Sequence, residues 1–327
     1  MKFLKICLIQ ALVLSGAQAS QAQTAVGEDY PNKPIRFIVP YSAGSGSDSA
    51  ARLIADRLPA LLGQPVVIEN KPGAGGVLGT AHAAKSNPDG YTIVWGGIAP
   101  LAIAPALQKT MPFDPIKDLQ PLTRVAIAPL LLVARPKLGA NSVSDLVALA
   151  KRKPNQLSYA SPGNGTTSHL SMELLKRAAG IQIGHVPYKG TTPGIADLLG
   201  GHVDIMIDSV AALAPFVNDG KLIPLAVTSG QRIAAMPKIP TMKESGTDIQ
   251  TEAWMGVLLP AGAPKQVMAK LTTAFDTVLS DPEVRSAMTQ KFGFEVAPMT
   301  PAQFSAFIQS ELAKWANVAK AANAKID

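Results

Sequence analysis

Short apolar runs alternate with amphipathic stretches along most of this chain. Ile35–Pro40 (IRFIVP), Val66–Glu69 (VVIE), Tyr91–Trp95 (YTIVW), Leu130–Ala134 (LLLVA), Leu157–Ala160 (LSYA), Gly184–Pro187, Val203–Ile207 (VDIMI), Leu222–Thr228 (LIPLAVT) and Met255–Leu259 have the length and content of strands. Between them, Ala51–Leu58, Val77–Lys85, a stretch capped by Ser142 that includes Asp145, Leu146 and Leu149, His169–Gly180 and a segment through Ile195–Leu199 have helical spacing. Strand–helix alternation of this kind predicts an α/β fold with a mainly parallel sheet flanked by helices on both faces. The clearest helix is the last: Thr300 is a favoured N-cap, Pro301 suits the first helical position and Gln303 completes a capping box. Phe304, Phe307, Ile308, Leu312, Trp315 and Ala319 then recur on one face, which reads as core. Pro59 falls late in the helix after the first strand and is expected to kink or end it, with Leu61–Gly63 as its irregular terminus.

Two strand-to-helix junctions share one chemistry. Ile35–Pro40 runs into YSAGSGSD (Tyr41–Asp48), and Leu157–Ala160 runs into SPGNGTTS (Ser161–Ser168) and His169. A helix start offers unbonded N–H groups and a partial positive charge, both suited to a carboxylate, and small residues allow close approach to the backbone. The candidates are Tyr41, Ser42, Gly44, Ser45 and Asp48 in one loop, and Ser161, Gly163, Asn164, Gly165, Thr166, Thr167 and His169 in the other; Asp208 and Ser209, at a further strand end, join them. Taken singly, each loop also reads as an ordinary capped turn. Asp48 suits a cap or loop brace as well as a ligand contact, His169 either an internal bond or a ligand contact, and Asp208 either a ligand contact or a brace. Asn70–Gly76 (NKPGAGG) reads as a structural turn. Two such cradles, far apart in sequence, point to two lobes that grip one small ligand.

Composition narrows the function. Hydrophobic residues are 47% of the 327 and charged residues 16%, which suits a packed globular chain. The N-terminus carries Lys2 and Lys5, an apolar stretch too short to span a bilayer, and an Ala17-Gln18-Ala19 site with Ser20-Gln21-Ala22 as a second choice, so residues 1–22 read as a cleaved secretory signal. Cys7, the only cysteine, lies in that segment, leaving no disulfide, Cys-ligated metal or Cys nucleophile. The net charge of +7 is scattered, with one tight run at Lys151–Lys153, and does not form a nucleic-acid surface. The four histidines lack zinc spacing, and no nucleophile elbow or P-loop occurs. Gly73-Ala74-Gly75-Gly76 fails the dinucleotide pattern at Leu78, and Ser168, His169 and Asp208 have no triad context. No cofactor and no metal are expected.

The stretches YPNKPIRFIVPYSAGSGSDSAARLIADRL, GQPVVIENKPGAGGVLGTAHAAKSNPDGYTIV, LSYASPGNGTTSHLSMELLKRAAGI, HVPYKGTTPGIADLLGGHVDIMIDS and GKLIPLAVTSGQR, with the C-terminal PEVR…TPAQF…W, resemble the Bug-type periplasmic receptors of tripartite tricarboxylate transporters from Tyr30 to Asp327. The resemblance implies a two-lobed hinged periplasmic-binding-protein architecture: a first lobe from 30–126, a second from 127–227, and a return to the first in 228–327. The chain is expected to cross near Val125–Leu132 and return near Leu225–Ser229. It implies a periplasmic, monomeric receptor for a small organic acid or amide, working transiently with membrane components and performing no chemistry. Tyr41 and Asp48 keep the aromatic and the acid of the family's first loop, while Ala43 and Ser45 stand where the family has proline and glycine. A hydrolase or isomerase on the same scaffold, using Asp208 or His169, and a sensory subunit are the alternative readings.

Overall fold

The computed structural model describes residues 30–322, with side chains to residue 320; the proposed leader, 1–22, lies outside the described residues. Strand β1 (Ile35–Val39) sends Ile35, Phe37 and Val39 into one core and Ile38 into another, the two-residue period of a strand buried on both faces. Helix α1 (Gly46–Ala55) comes next, capped by Ser45. It ends before Pro59, and the proline opens a short separate helix, α2 (Pro59–Leu62), where its missing N–H has no helical partner to lose. Then come β2 (Val66–Asn70), α3 (Val77–Ala84), β3 (Thr92–Gly97), α4 (Ala104–Leu107) and the long β4 (Leu119–Ala134).

The next stretch contains α5 (Val143–Arg152), β5 (Ser158–Ser161), α6 (Thr167–Ala179), β6 (Gly184–Pro187), α7 (Thr191–Gly200), β7 (Ile205–Ser209), α8 (Val210–Asn218) and β8 (Ile223–Val227). The chain closes with β9 (Glu252–Pro260), α9 (Lys265–Ser280), α10 (Pro282–Phe292), β10 (Glu295–Val296) and α11 (Pro301–Ala322). The capping box at α11 forms: the Thr300 N–H donates to Gln303 Oε1 (3.0 Å) and the Gln303 N–H to Thr300 Oγ1 (3.3 Å).

The strands lie in the order β2-β1-β3-β9-β4-β7-β5-β6, with β8 and β10 also paired to β4. The outer strands are parallel, as the alternation predicts. The central strands β4 and β9 run antiparallel to their neighbours. Along β4 the partner changes: Pro129 faces Glu252 of β9, and Leu130 faces Ser209 of β7. After β8 the chain returns beside this point, where the Thr228 N–H donates to Leu130 O (2.9 Å) and the Thr251 N–H to Thr228 O (3.0 Å).

Each half of the sheet has a core on both faces. In the first, α1, α9 and α10 cover one face and α3, α4 and α11 the other. In the second, α5 and α6 cover one face and α7 and α8 the other. Leu170 of α6 joins the α11 core of the first half, so the helix after the second cradle is rooted between the lobes. Among the described residues no helix is long and apolar enough to cross a membrane.

Candidate functional site

The two cradles share one local geometry. In the first, Gly44 (φ +79°) turns its N–H onto Asp48 Oδ2 (2.8 Å), and Ser45 Oγ caps the helix by accepting from the Asp48 N–H (3.2 Å). In the second, Gly165 (φ +74°) turns its N–H onto His169 Nδ1 (3.1 Å), and Thr166 Oγ1 accepts from the His169 N–H (3.3 Å). The shared pattern is Gly-[Ser/Thr]-x-x-[Asp/His]: glycine for the left-handed turn, a hydroxyl cap, and an acceptor side chain that holds the glycine amide.

The acceptors differ in charge. Asp48 is buried, which pulls its pKa up, but bonds from Arg52 Nε (2.9 Å), Asn70 Nδ2 (2.7 Å) and Gly44 outweigh burial and hold it below the usual carboxylate range. The start of α1 therefore already has an anion of its own. Burial pushes the His169 imidazole down, so it stays neutral and leaves the positive end of α6 without a counter-charge.

A cavity of about 560 Å³ opens against the second cradle. Asn164, Gly165, Thr166 and Thr167 form one wall; Ala74, Gly75, Ala99, Ile103, Ala104 and Gln108 form the other. It lies beyond the carboxyl ends of the parallel strands, where open α/β sheets take ligands. Among the described residues its lining contains no Lys or Arg. Thr166 spends its hydroxyl internally, donating to Gly163 O (2.8 Å) while capping α6. Thr167 engages Ser171 through its carbonyl (2.7 Å), and its hydroxyl has no partner among the described residues.

The remaining candidates do not line this cavity. Tyr41 sits behind the Gly73–Gly76 turn: a Cβ on Gly76 would lie 3.5 Å from its ring and one on Gly97 2.8 Å from its hydroxyl, and burial pushes the phenol up to about 12. Ser42 O accepts from the Ser45 N–H (3.2 Å) within the first loop. Ser161 is fully buried beneath the second loop, where its hydroxyl contacts the N–H and carbonyl of Gly163 (3.2 Å each). Asp208 accepts from the Ser209 N–H (2.6 Å) and from Thr191 Oγ1 (2.9 Å), tying the end of β7 to the start of α7; burial raises its pKa.

The opposite wall carries no residue that the sequence marks as a site candidate. Ala74 and Gly75 belong to the Asn70–Gly76 stretch, which carries positive φ at Gly73, Ala74, Gly75 and Gly76 and leads from β2 into α3. A signal exists there, since this too is a Gly-rich strand-to-helix loop. Ala99, Ile103, Ala104 and Gln108 carry no such signal; they are aliphatic or lone polar residues in a segment without a motif.

Comparison with known proteins identifies the family. Residues 50–324 match the family model described as tripartite tricarboxylate transporter family receptor. Protein BugT of Bordetella pertussis is 36% identical over 312 residues, covering 95% of each chain. An R. palustris protein solved with adipate is 34% identical with a TM-score of 0.74, covering 91% of this chain and all of that one. MatC from Rhodopseudomonas palustris, solved with bound malate, is 31% identical with a TM-score of 0.68, covering 88% of this chain and 99% of that one. A fold of two joined α/β lobes, a cavity at their strand ends and these matches along nearly the whole length place the chain in the tripartite tricarboxylate transporter receptor family.

Proposed function

We propose that the protein is a periplasmic solute-binding receptor that captures a small carboxylate between its lobes and delivers it, without chemical change, to membrane components of a tripartite transporter. The observation that carries this reading is the cavity wall at Asn164–Thr167. It ends in a helix start whose acceptor is a neutral histidine, and among the described residues no cationic side chain lines the cavity. A carboxylate there would meet oriented N–H groups and the Thr167 hydroxyl, in the manner of other helix-start anion sites. The start of α1 suits a carboxylate less, because Asp48 already occupies it. Adipate and malate in the related structures are the class of ligand this predicts. Thr167, Asn164 and the amides of Thr167 and Gly75 are the proposed contacts, with Tyr41, Ser45, Asp48, Ser161, His169 and Asp208 as the frame around them.

The lobe limits and export route belong to the same proposal. The change of partner at Pro129/Leu130 supports an outward crossing there, and the packing of Met242 and Ile249 with the second half's core supports a return near Thr251, later than the Leu225–Ser229 expected from the sequence. Residues 1–22 are the cleaved export signal.

The test is a thermal-shift screen of the mature chain with malate, adipate, other di- and tricarboxylates, aromatic acids and the matching amides. A ligand at a hundred times its dissociation constant stabilises by about 2.7 kcal/mol. At least one carboxylate is expected to stabilise strongly and be recovered unchanged. Stabilisation by amides and not by their acids would overturn the carboxylate reading, and conversion of a bound compound would favour the enzyme alternative.

A further inference from the structure

His185 carries no site signal in the sequence, yet the second cradle rests on it. His185 lies on β6, beside β5 in the sheet. Its Nε2 is 2.6 Å from Ser161 Oγ. That hydroxyl contacts both backbone groups of Gly163, whose carbonyl accepts from Thr166 Oγ1 (2.8 Å). Thr166 caps α6 at His169, and His169 Nδ1 holds the Gly165 N–H. The circuit then returns to its origin, because the His169 ring stacks on His185 with centroids 4.2 Å apart. His185 also stacks on Tyr159 (4.7 Å), whose hydroxyl donates to Glu173 (2.7 Å).

We infer that His185 is a positioning residue of the binding site: through Ser161 and the stacked His169 it fixes the Gly163–Thr167 wall in its ligand-ready form. The inference rests on the receptor reading above. The imidazole does two jobs that an aliphatic residue of similar size would split. Its nitrogen anchors Ser161, and its flat face sets the plane of His169, on which the Nδ1 direction towards Gly165 depends.

The state of the rings is set by their surroundings. Facing the pair are Tyr159 from β5 and Glu173 and Lys176 from α6. Burial, then the neighbouring His169, pushes His185 down to about 4, so both rings are neutral in the receptor's working state. A protonated His169 could not accept from Gly165.

The test reads hydrogen–deuterium exchange in peptides covering residues 161–169 of the mature protein without ligand, beside malate and adipate binding. H185A is expected to speed exchange in 161–169 by about tenfold while peptides from β1 and β3 keep their rates. H185Q, whose side-chain amide can still reach Ser161, is expected to recover a large part of that protection and of the affinity for whichever of the two acids binds. S161A, which removes a single oxygen, is expected to speed exchange in the same peptides by about threefold. Unchanged exchange in H185A, or loosening spread equally over β7 and β8, would overturn the inference. If H185A does not fold, S161A decides: a local rise supports the inference and no rise overturns it. If neither acid binds the wild type, the receptor reading loses its ligand class while the exchange result still judges His185.

Discussion

Replacing Asp48 with Asn changes one atom, and the geometry around it determines the cost. Asp48 Oδ1 accepts from Asn70 Nδ2 (2.7 Å), and Oδ2 accepts from the Gly44 N–H (2.8 Å) and Arg52 Nε (2.9 Å). An amide at position 48 supplies one oxygen and one NH2. With the oxygen towards Gly44 and Arg52, the NH2 faces the NH2 of Asn70, donor against donor. Asn70 cannot turn over to help, because its Nδ2 also donates to Tyr41 O (3.0 Å) and its Oδ1 accepts from Arg52 Nη2 (2.9 Å). The opposite orientation of the new amide loses two bonds instead of one. The smaller loss is one hydrogen bond of about 1 kcal/mol plus a buried unsatisfied donor of about 1–3 kcal/mol, so about 2–4 kcal/mol in all. The lost attraction to Arg52 adds little, since that guanidinium is nearly half exposed.

Thermal unfolding followed by circular dichroism should show a Tm lower by about 4–8 °C, at roughly 2 °C per kcal/mol for a chain of this length. The double variant D48N/N70D restores donor facing acceptor between the two side chains, although it loses the bond to Tyr41. It should be more stable than the sum of the single changes by about 1–2 kcal/mol. The sign of the pH dependence is also set. Because the folded pKa of Asp48 is depressed, its contribution is present above the ordinary value of 3.8 and is lost as pH falls through the folded value; D48N should flatten that acid limb. A D48N protein within about 0.5 kcal/mol of wild type, or a coupling near zero, would refute the claim that Asp48 braces the first cradle.

Glu311 is buried and accepts from the indole N–H of Trp254 (2.9 Å) and of Trp315 (3.0 Å) through one oxygen, so E311A should cost about 3 kcal/mol or more by urea denaturation and E311Q, which keeps an acceptor there, about half as much. The lowered pKa of His185 means that the unfolded chain takes up a proton first, so wild-type stability should fall between pH 6.5 and about 4 more steeply than that of H185Q; the comparison of the two is the measurement, because Asp208 and Glu252, with raised pKa values, act in the opposite sense. A Cβ on Gly79 would lie 2.8 Å from Pro40 Cβ and 2.9 Å from Pro40 Cα and would also press on Lys71 O, so G79A should lower stability by about 1–3 kcal/mol in the same denaturation assay.

The pattern of apolar residues located the outer strands of both lobes and the helices beside the cradles, because these segments carry their own period and caps. It did not reveal how the lobes are joined. Strand β4 spans Leu119–Ala134, yet only its last five residues read as a strand, because Pro121 and Pro129 break the pattern. Both prolines sit where the ladder tolerates a missing N–H: Pro121 beside a register irregularity against β9, and Pro129 where β4 leaves β9 for β7. Pro129, which argues against a central strand, thus stands where β4 exchanges β9 for β7 as its partner. Helix α9 carries a period of its own, with Val267, Leu271, Phe275 and Val278 at helical spacing, but its place under the first sheet depends on β9, which precedes it.

At the site the division is similar. Local order inside each cradle is written within a few residues, and Gly44–Asp48 and Gly165–His169 spell the same motif. What a cradle faces is not local. Gln108 and Ala99 reach the cavity because β3 and β9 pair and carry the segment after β3 towards α6; nothing in their own neighbourhood signals it. His185 is hidden for the same reason, sixteen residues after His169 in the chain but stacked against it through the pairing of β5 with β6. The charge difference between the cradles combines both scales. The letters at positions 48 and 169 are local, but the neutrality of His169 comes from burial, and the rings stacked on it, Tyr159 and His185, are brought to it by the pairing of β5 with β6. One motif, used twice, therefore yields one helix start that is internally compensated and one left open, and that asymmetry, rather than either loop alone, gives the cavity an end for an anion.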